Sequence, residues 1–309
     1  MAGRTGQLRI VDPVLTQLLR GYSNAEFVGH NLFPIVSVDK EAGKIPTFGK
    51  ESFLVFNTER ALRAKSNKLP VEARSTVDFA TVEHDAVYPT DYREISEDML
   101  DLEKYAAFRA QSAVQLRMEK QQADLALNDS LYPSGSKITL TSTGQFTHAD
   151  SNPIKTFRDA TEAVRGKIAK RPNVLVIGAA SFKVLQDHPT LQDRIKYSQL
   201  GVLTVDLLKA ILNIPNIFIG DAVYATDAGV VTDIWGDNCV MAYVPGMPGS
   251  DTGSVYEPSF GYTLRKRGFP EVDKYEEEGG KLLNVRSTDN FVPKLVGADA
   301  GYVILDTNA

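Results

Sequence analysis

From Ser96 to about Asn128 the chain contains neither proline nor glycine. Ser96 is a good N-cap, and Glu97 and Asp98 suit the first turn through the helix dipole. Met99, Leu102, Ala106, Ala110, Ala113, Leu116 and Ala123 fall near one face. The stretch predicts a single helix, roughly 45–50 Å long at 1.5 Å per residue. A rod of that length has to run along something. The alanine-rich stripe allows a sheet or a second helix to pack closely against it, so the segment reads as a scaffold spine.

The remainder of the chain reads in blocks. Residues 1–35 form an arm: a short apolar helix around Pro13–Leu19, a loop, and a stop at Leu32-Phe33-Pro34. In residues 36–90 the apolar positions come in short alternating runs, with Gly43, Pro46, Gly49, Pro70 and Pro89 between them. Period-two runs separated by turn residues predict long antiparallel strands. Within that block, Arg60–Arg74 (RALRAKSNKLPVEAR) carries five basic residues against the single acid Glu72 and has few large apolar ones. Such a stretch cannot bury a core, so a mobile loop tip is expected.

Beyond the spine, Tyr132–Asp150 is a connector rich in turn residues. A helix then starts at Asn152-Pro153, a cap followed by proline at the first helical position, with Ile154, Phe157, Thr161, Val164 and Ile168 as its core face. Next come a strand at 173–177, a helix ended by His188-Pro189, a helix from Thr204 through Leu212 and a strand at Ile217–Ile219. The rest is β-rich: Cys239–Val244, Tyr256–Arg267, Leu282–Val285 and Gly301–Leu305.

The strand Val174–Ile177 running into Gly178 has the outline of a phosphate-binding turn, but the chemistry fails. Gly178 is followed by Ala179, Ala180 and Ser181, so no second glycine lets a pyrophosphate approach the backbone. The pairs Gly166-Lys167 and Gly280-Lys281 lack the Ser or Thr of a P-loop. His30, His84, His148 and His188 are scattered, with no metal-ligand spacing. Cys239, the only cysteine, lies in the apolar run NCVMAYV and reads as an inert buried thiol. One cysteine also forbids an intrachain disulfide, which fits reducing surroundings and an intracellular origin. No apolar run approaches a membrane span. The net charge of −5 argues against binding nucleic acid through a broad basic face, though not against enclosing it. No enzyme, metal or cofactor is expected.

Ser151-Asn152-Pro153-Ile154 and Ala163–Tyr197 (AVRGKIAKRPNVLVIGAASFKVLQDHPTLQDRIKY) carry a resemblance. With Ile217–Gly220, Trp235-Gly236 and Tyr243-Val244-Pro245, they resemble the central part of tailed-bacteriophage major capsid proteins, and the likeness extends over nearly the whole chain. The resemblance implies an α+β chain of the Hong Kong 97-type fold. It divides the chain into an amino-terminal arm (1–35), an extended β loop (36–90), a peripheral domain with the spine helix (91–170), an α/β axial domain (171–290) and a carboxy-terminal return (291–309). In that plan Gly178 is a structural turn, with Phe182 and Leu185 packing the following helix down.

The function so implied is self-assembly into pentamers and hexamers of an icosahedral shell. The shell encloses double-stranded DNA without sequence-specific binding, and it is built in the host bacterial cytoplasm. Some members carry a long amino-terminal scaffolding segment, and an arm of residues 1–35 leaves no room for one. A separate scaffolding protein is therefore expected, with a portal and a decoration protein as further partners and no membrane. Contacts between copies are expected where the basic loop (Arg60, Arg63, Lys65, Lys68, Arg74) reaches an acidic cluster on its neighbour (Asp273, Glu276, Glu277, Glu278). Solvation of an exposed loop is the plainer reading of those charges. Two rival functions remain open: an encapsulin-like compartment shell, which shares the fold, and a small-molecule α/β enzyme.

Overall fold

The computed structural model describes residues 27–47, 55, 58–60, 62–63, 65–68, 75–97, 102–195, 203–246 and 259–309. In chain order these residues form α1 (Gly29–Leu32), β1 (Ile35–Val38), β2 (Ala42–Pro46), β3 (Thr76–Ala80), β4 (Val82–Asp91), α2 (Tyr92–Glu97), α3 (Leu102–Leu127) and β5 (Lys137–Thr139). There follow α4 (Pro153–Ile168), β6 (Val174–Gly178), α5 (Ala179–Asp187), α6 (Pro189–Ile195), α7 (Val205–Leu212), β7 (Asn216–Gly220), β8 (Val223–Ala225) and β9 (Val231–Asp233). Last come β10 (Cys239–Ala242), β11 (Gly261–Lys266), β12 (Glu271–Glu277), β13 (Leu282–Leu295) and β14 (Gly301–Leu305).

Two five-stranded sheets organise the chain. The first runs β5-β14-β10-β6-β7. Its strands β6 and β10 are buried at every position, because both faces are covered. Leu175, Ile177, Cys239 and Met241 pack with Ile154 and Phe157 of α4 and with Leu185, Leu208 and Leu212. Val174, Val176, Val240 and Ala242 pack the other way, with Ala123, Ala126, Tyr132 and Trp235. Alternate residues of one apolar strand thus feed two cores.

The second sheet is centred on β13. Both β12 and β11 pair with it in succession, β4 pairs with residues 282–291, and β1 joins β11 in parallel. The spine helix α3 lies over this sheet, where Ala106 and Ala107 meet Val272 and Val285.

Several expectations need correcting. Among the described residues the spine is helical over Leu102–Leu127; Ser96 is itself helical, within α2, and so is not an N-cap, and Met99 lies outside the described residues. Its buried face is only partly the alanine stripe, since Ala113 is exposed and Gln111, Glu119 and Gln122 are buried. Among the described residues of 36–90, β2 and β3 pair with each other, whereas β1 and β4 join β11 and β13. The strand expected at Leu282–Val285 continues to Leu295, the strand β12 before it was not foreseen, and a second helix, α6, starts at Pro189 itself. The expected helix at Pro13–Leu19 lies outside the described residues.

The cap at Asn152 forms as expected, its Oδ1 accepting from the Lys155 N–H at 3.0 Å.

Candidate functional site

At the turn that resembles a phosphate loop, Gly178 has an ordinary φ of −63°. Its glycine is required by packing instead. A Cβ there would sit 2.0 Å from the Gly236 carbonyl oxygen, and the Gly178 N–H donates to the Asn238 carbonyl at 2.9 Å. Gly220, its register partner on β7, would put a Cβ 2.4 Å from the Trp235 ring. The segment 235–238 closes down on both strand ends and occupies the space a phosphate would need.

The nucleophile candidates are equally spoken for. Burial pushes the Cys239 thiol up to about 12, against a weaker opposing hydrogen bond from Ser181. His188 is buried, and its Nδ1 accepts from the Thr190 N–H at 3.2 Å. Nε2 therefore carries the proton and faces Ser151 Oγ at 2.9 Å and the His148 carbonyl at 3.3 Å. The ring is a neutral strut, and burial holds its pKa below the ordinary value. Among the described residues no group of three or more His, Cys, Asp or Glu could hold a metal ion. No helix among them is long and apolar enough to cross a membrane.

The charged residues expected at contacts between copies fall into three situations. Arg60, Arg63, Lys65 and Lys68 are exposed, while Arg74 lies outside the described residues. Glu276 and Glu277 end β12, and Glu278 leads the tight turn into β13, with φ of 52°, 68° and 87° at Glu278, Gly279 and Gly280. All three are exposed at a hairpin tip. Asp273 is not with them. It is 3% exposed and grips Arg286 through two bonds, Nε to Oδ1 at 3.0 Å and Nη2 to Oδ2 at 2.6 Å. Beside the tip, Tyr92 and Ile95 are exposed, and the Tyr92 N–H donates to the Lys281 carbonyl.

One polar cluster lies outside the residues that the sequence singles out. Glu119, in the middle of α3, is 2% exposed. Its Oε1 accepts from the N–H groups of Val28 and Gly29, each at 3.0 Å, and from the Trp235 indole at 2.8 Å. Oε2 accepts from Gly29 as well, at 2.9 Å. One turn along the helix, Gln122 Nε2 donates to Thr263 Oγ1 at 2.7 Å, and that hydroxyl donates to the Phe33 carbonyl at 3.1 Å. Gly29 lets the segments meet, because a Cβ there would lie 2.4 Å from Gln122 Oε1. Burial raises the Glu119 pKa, and the three donor groups pull it back. The signal was available in sequence: Gln111, Glu119 and Gln122 share the buried face with Ala123 and Ala126. A charge there reads as solvated unless its partners, far away in the chain, are known.

The arrangement offers joints and surfaces, and the chain as a whole is similar to known proteins. A family model described as Phage major capsid protein E matches residues 109–255. The chain is 54% identical over 306 residues to the major capsid protein of Burkholderia phage BcepMu, a match covering 99% of each. A phage-related protein from Bordetella bronchiseptica, of known crystal structure, is 33% identical and superposes with a TM-score of 0.82 over 97% of this chain and 98% of that one. The mature capsid of bacteriophage PhiM1 is similar in fold, with a TM-score of 0.58 at 14% identity over 94% of this chain and 89% of its own.

Proposed function

The chain belongs to the phage major capsid proteins, and from that premise we propose that its whole mechanism is assembly. It has the Hong Kong 97-type fold and forms the head shell of a tailed phage, enclosing the DNA. The observation that carries this is identity to a major capsid protein sustained along the full chain. The same observation favours a head shell over an encapsulin-like compartment, which would use the same fold.

Beyond that, copies group into pentamers and hexamers in the host bacterial cytoplasm, with a separate scaffolding protein, a portal and a decoration protein as partners. No residue performs chemistry. Residues 1–35 serve as an arm, 36–90 as an extended loop, 91–170 as a peripheral domain, 171–290 as an axial domain and 291–309 as a return. Three of those boundaries fall within β1, β4 and β13, so the second sheet belongs to several of these parts. Electron microscopy of the purified protein, alone and with its scaffold, tests the reading: closed shells or rings are expected. A monomer under every salt, pH and scaffold condition, by sedimentation, would overturn it.

Contacts between copies follow from charge. The basic residues Arg60, Arg63, Lys65, Lys68 and Arg74 of one copy lie against the hairpin tip Glu276–Glu278 of the next, while Asp273 is held by Arg286 and serves the tip's own fold. One exposed pair contributes about 0–1 kcal/mol and is screened by salt. Repetition at every contact makes it matter. Replacing Arg60, Arg63 and Lys65 together by Ser should lower the salt or denaturant concentration at which shells dissociate and leave the subunit's melting temperature unchanged. Shells as robust as wild type across the salt range would leave the loop a bystander.

A further inference from the structure

A closed shell needs each copy to meet its neighbours at set angles, so the angle between a copy's own two sheets bears on closure. The two sheets meet across α3. Most of what joins them is apolar: Val28, Leu32, Phe33, Ala126, Trp235 and Phe260 form one buried cluster. Apolar contact is non-directional, so it holds the layers together without fixing how one is turned against the other. Hydrogen bonds are directional, and they weaken steeply as the donor angle closes.

A backbone bond from the Phe260 N–H to the Tyr243 carbonyl, at 3.0 Å, links the two sheets near the ends of β10 and β11, and the side-chain bonds at this seam gather on two residues of one helical face. Glu119 takes the Trp235 indole N–H, which hangs from the loop leading into β10 of the first sheet, and the N–H groups of Val28 and Gly29. Gln122 takes Thr263 of β11 in the second sheet, and Thr263 in turn holds the Phe33 carbonyl. First sheet, second sheet and the segment entering α1 are thus referred to one turn of one helix. The carboxylate is a costly way to achieve this. It is buried, and the groups that satisfy it are three neutral N–H donors. An apolar side chain would have packed the same space.

We propose that the Glu119–Trp235 junction is a positioning element that sets the angle between the two sheets, and through it the curvature of the shell. The inference rests on the shell reading above. A small angular error inside one copy is repeated in every copy, so it selects a different closure rather than averaging away.

Trp235→Phe tests it most cleanly, because it removes the indole donor and keeps an aromatic ring against Gly220. Glu119→Ala removes the acceptor, and Glu119→Gln keeps one acceptor oxygen. The expected result is folded subunits whose shells, by electron microscopy, take several diameters or fail to close, in place of the single wild-type diameter. Glu119→Gln should fall between Glu119→Ala and wild type. A single wild-type diameter for Trp235→Phe and Glu119→Ala overturns the proposal. So does failure of both to fold, by circular dichroism, which would make the junction a requirement of folding and not a setter of angle. If the wild-type protein itself gives no shells, it is the shell reading that falls.

Discussion

The two five-stranded sheets bury themselves by opposite means. In the first, the buried positions of β6 and β10 are Val, Leu, Ile, Cys, Met and Ala, with Gly only at the strand end. In the second, the buried run of β13 includes Asn284, Ser287, Thr288, Asp289 and Asn290 beside Val285 and Phe291. Removal of apolar surface from water stabilises the first sheet, at about 25 cal/mol per Å². The second gains far less that way, and it tolerates polar atoms without partners. Asn284 Nδ2, Asp289 Oδ1 and Asn290 Oδ1 are buried with no hydrogen bond among the described residues. Its order comes from the long ladder with β4, β11 and β12, and from ion pairs such as Arg265–Asp289 at 2.9 Å and Arg286–Asp273 at 2.6 Å. One layer is held by bulk and the other by direction, which suits a tile whose shape has to repeat.

The largest expected effect is therefore in the first sheet. Ile177→Ala opens a cavity between two covered faces and should cost about 2–5 kcal/mol, read as a shift of the urea midpoint of the unassembled subunit. Asn284→Leu in the second sheet removes a buried amide whose Nδ2 has no partner among the described residues and keeps the branching of the side chain. It should change stability by no more than about 1 kcal/mol, in either direction. Comparable losses for the two would break the contrast. A loss above about 2 kcal/mol for Asn284→Leu alone would instead show that its Oδ1 carries an essential bond.

The same contrast decides what can be read without coordinates. A strand like β6, apolar at every position and bounded by Asn173 and Gly178, declares itself, as does a helix with an Asn-Pro start. β13 does not. Both its faces are buried, with Asn284, Thr288 and Asn290 on one and Ser287 and Asp289 beside Val285 and Phe291 on the other, so neither alternation nor an apolar run marks it. Stopping the strand at Val285 follows from that. The parallel pairing of Ile35 with Thr263 joins positions far apart in sequence, and local pattern carries no trace of it. Gly178 was legible as special but ambiguous in cause, because a glycine needed for a ligand and one needed for the Gly236 carbonyl look alike. Glu119 was hidden by the usual expectation for a charge on a long helix. The family motifs, by contrast, lie in and around the first sheet, where packing constrains each residue type most tightly.

The smallest effect separates the two regions by the sign of their response to pH. His188 stands beside the first sheet, and burial lowers its pKa from the ordinary 6.5, against a weaker opposing bond from the His148 carbonyl. Between the folded and the ordinary value the unfolded chain binds more protons, so this group's contribution is present at neutral pH and is lost as pH falls below the ordinary value. Glu119, at the seam with the second sheet, is shifted the other way, upward from the ordinary 4.5. The folded state then binds the proton more readily, so its contribution is present in acid and is lost as pH rises through the folded value. The two limbs oppose each other in sign. Differences between variants expose them. Melting temperature measured against pH should show His188→Gln losing less than wild type on acidification, and Glu119→Gln losing less on the way up to neutrality. Parallel curves for wild type and both variants would mean that neither group titrates in the fold as its surroundings require, and the contrast between the two regions would then rest on packing alone.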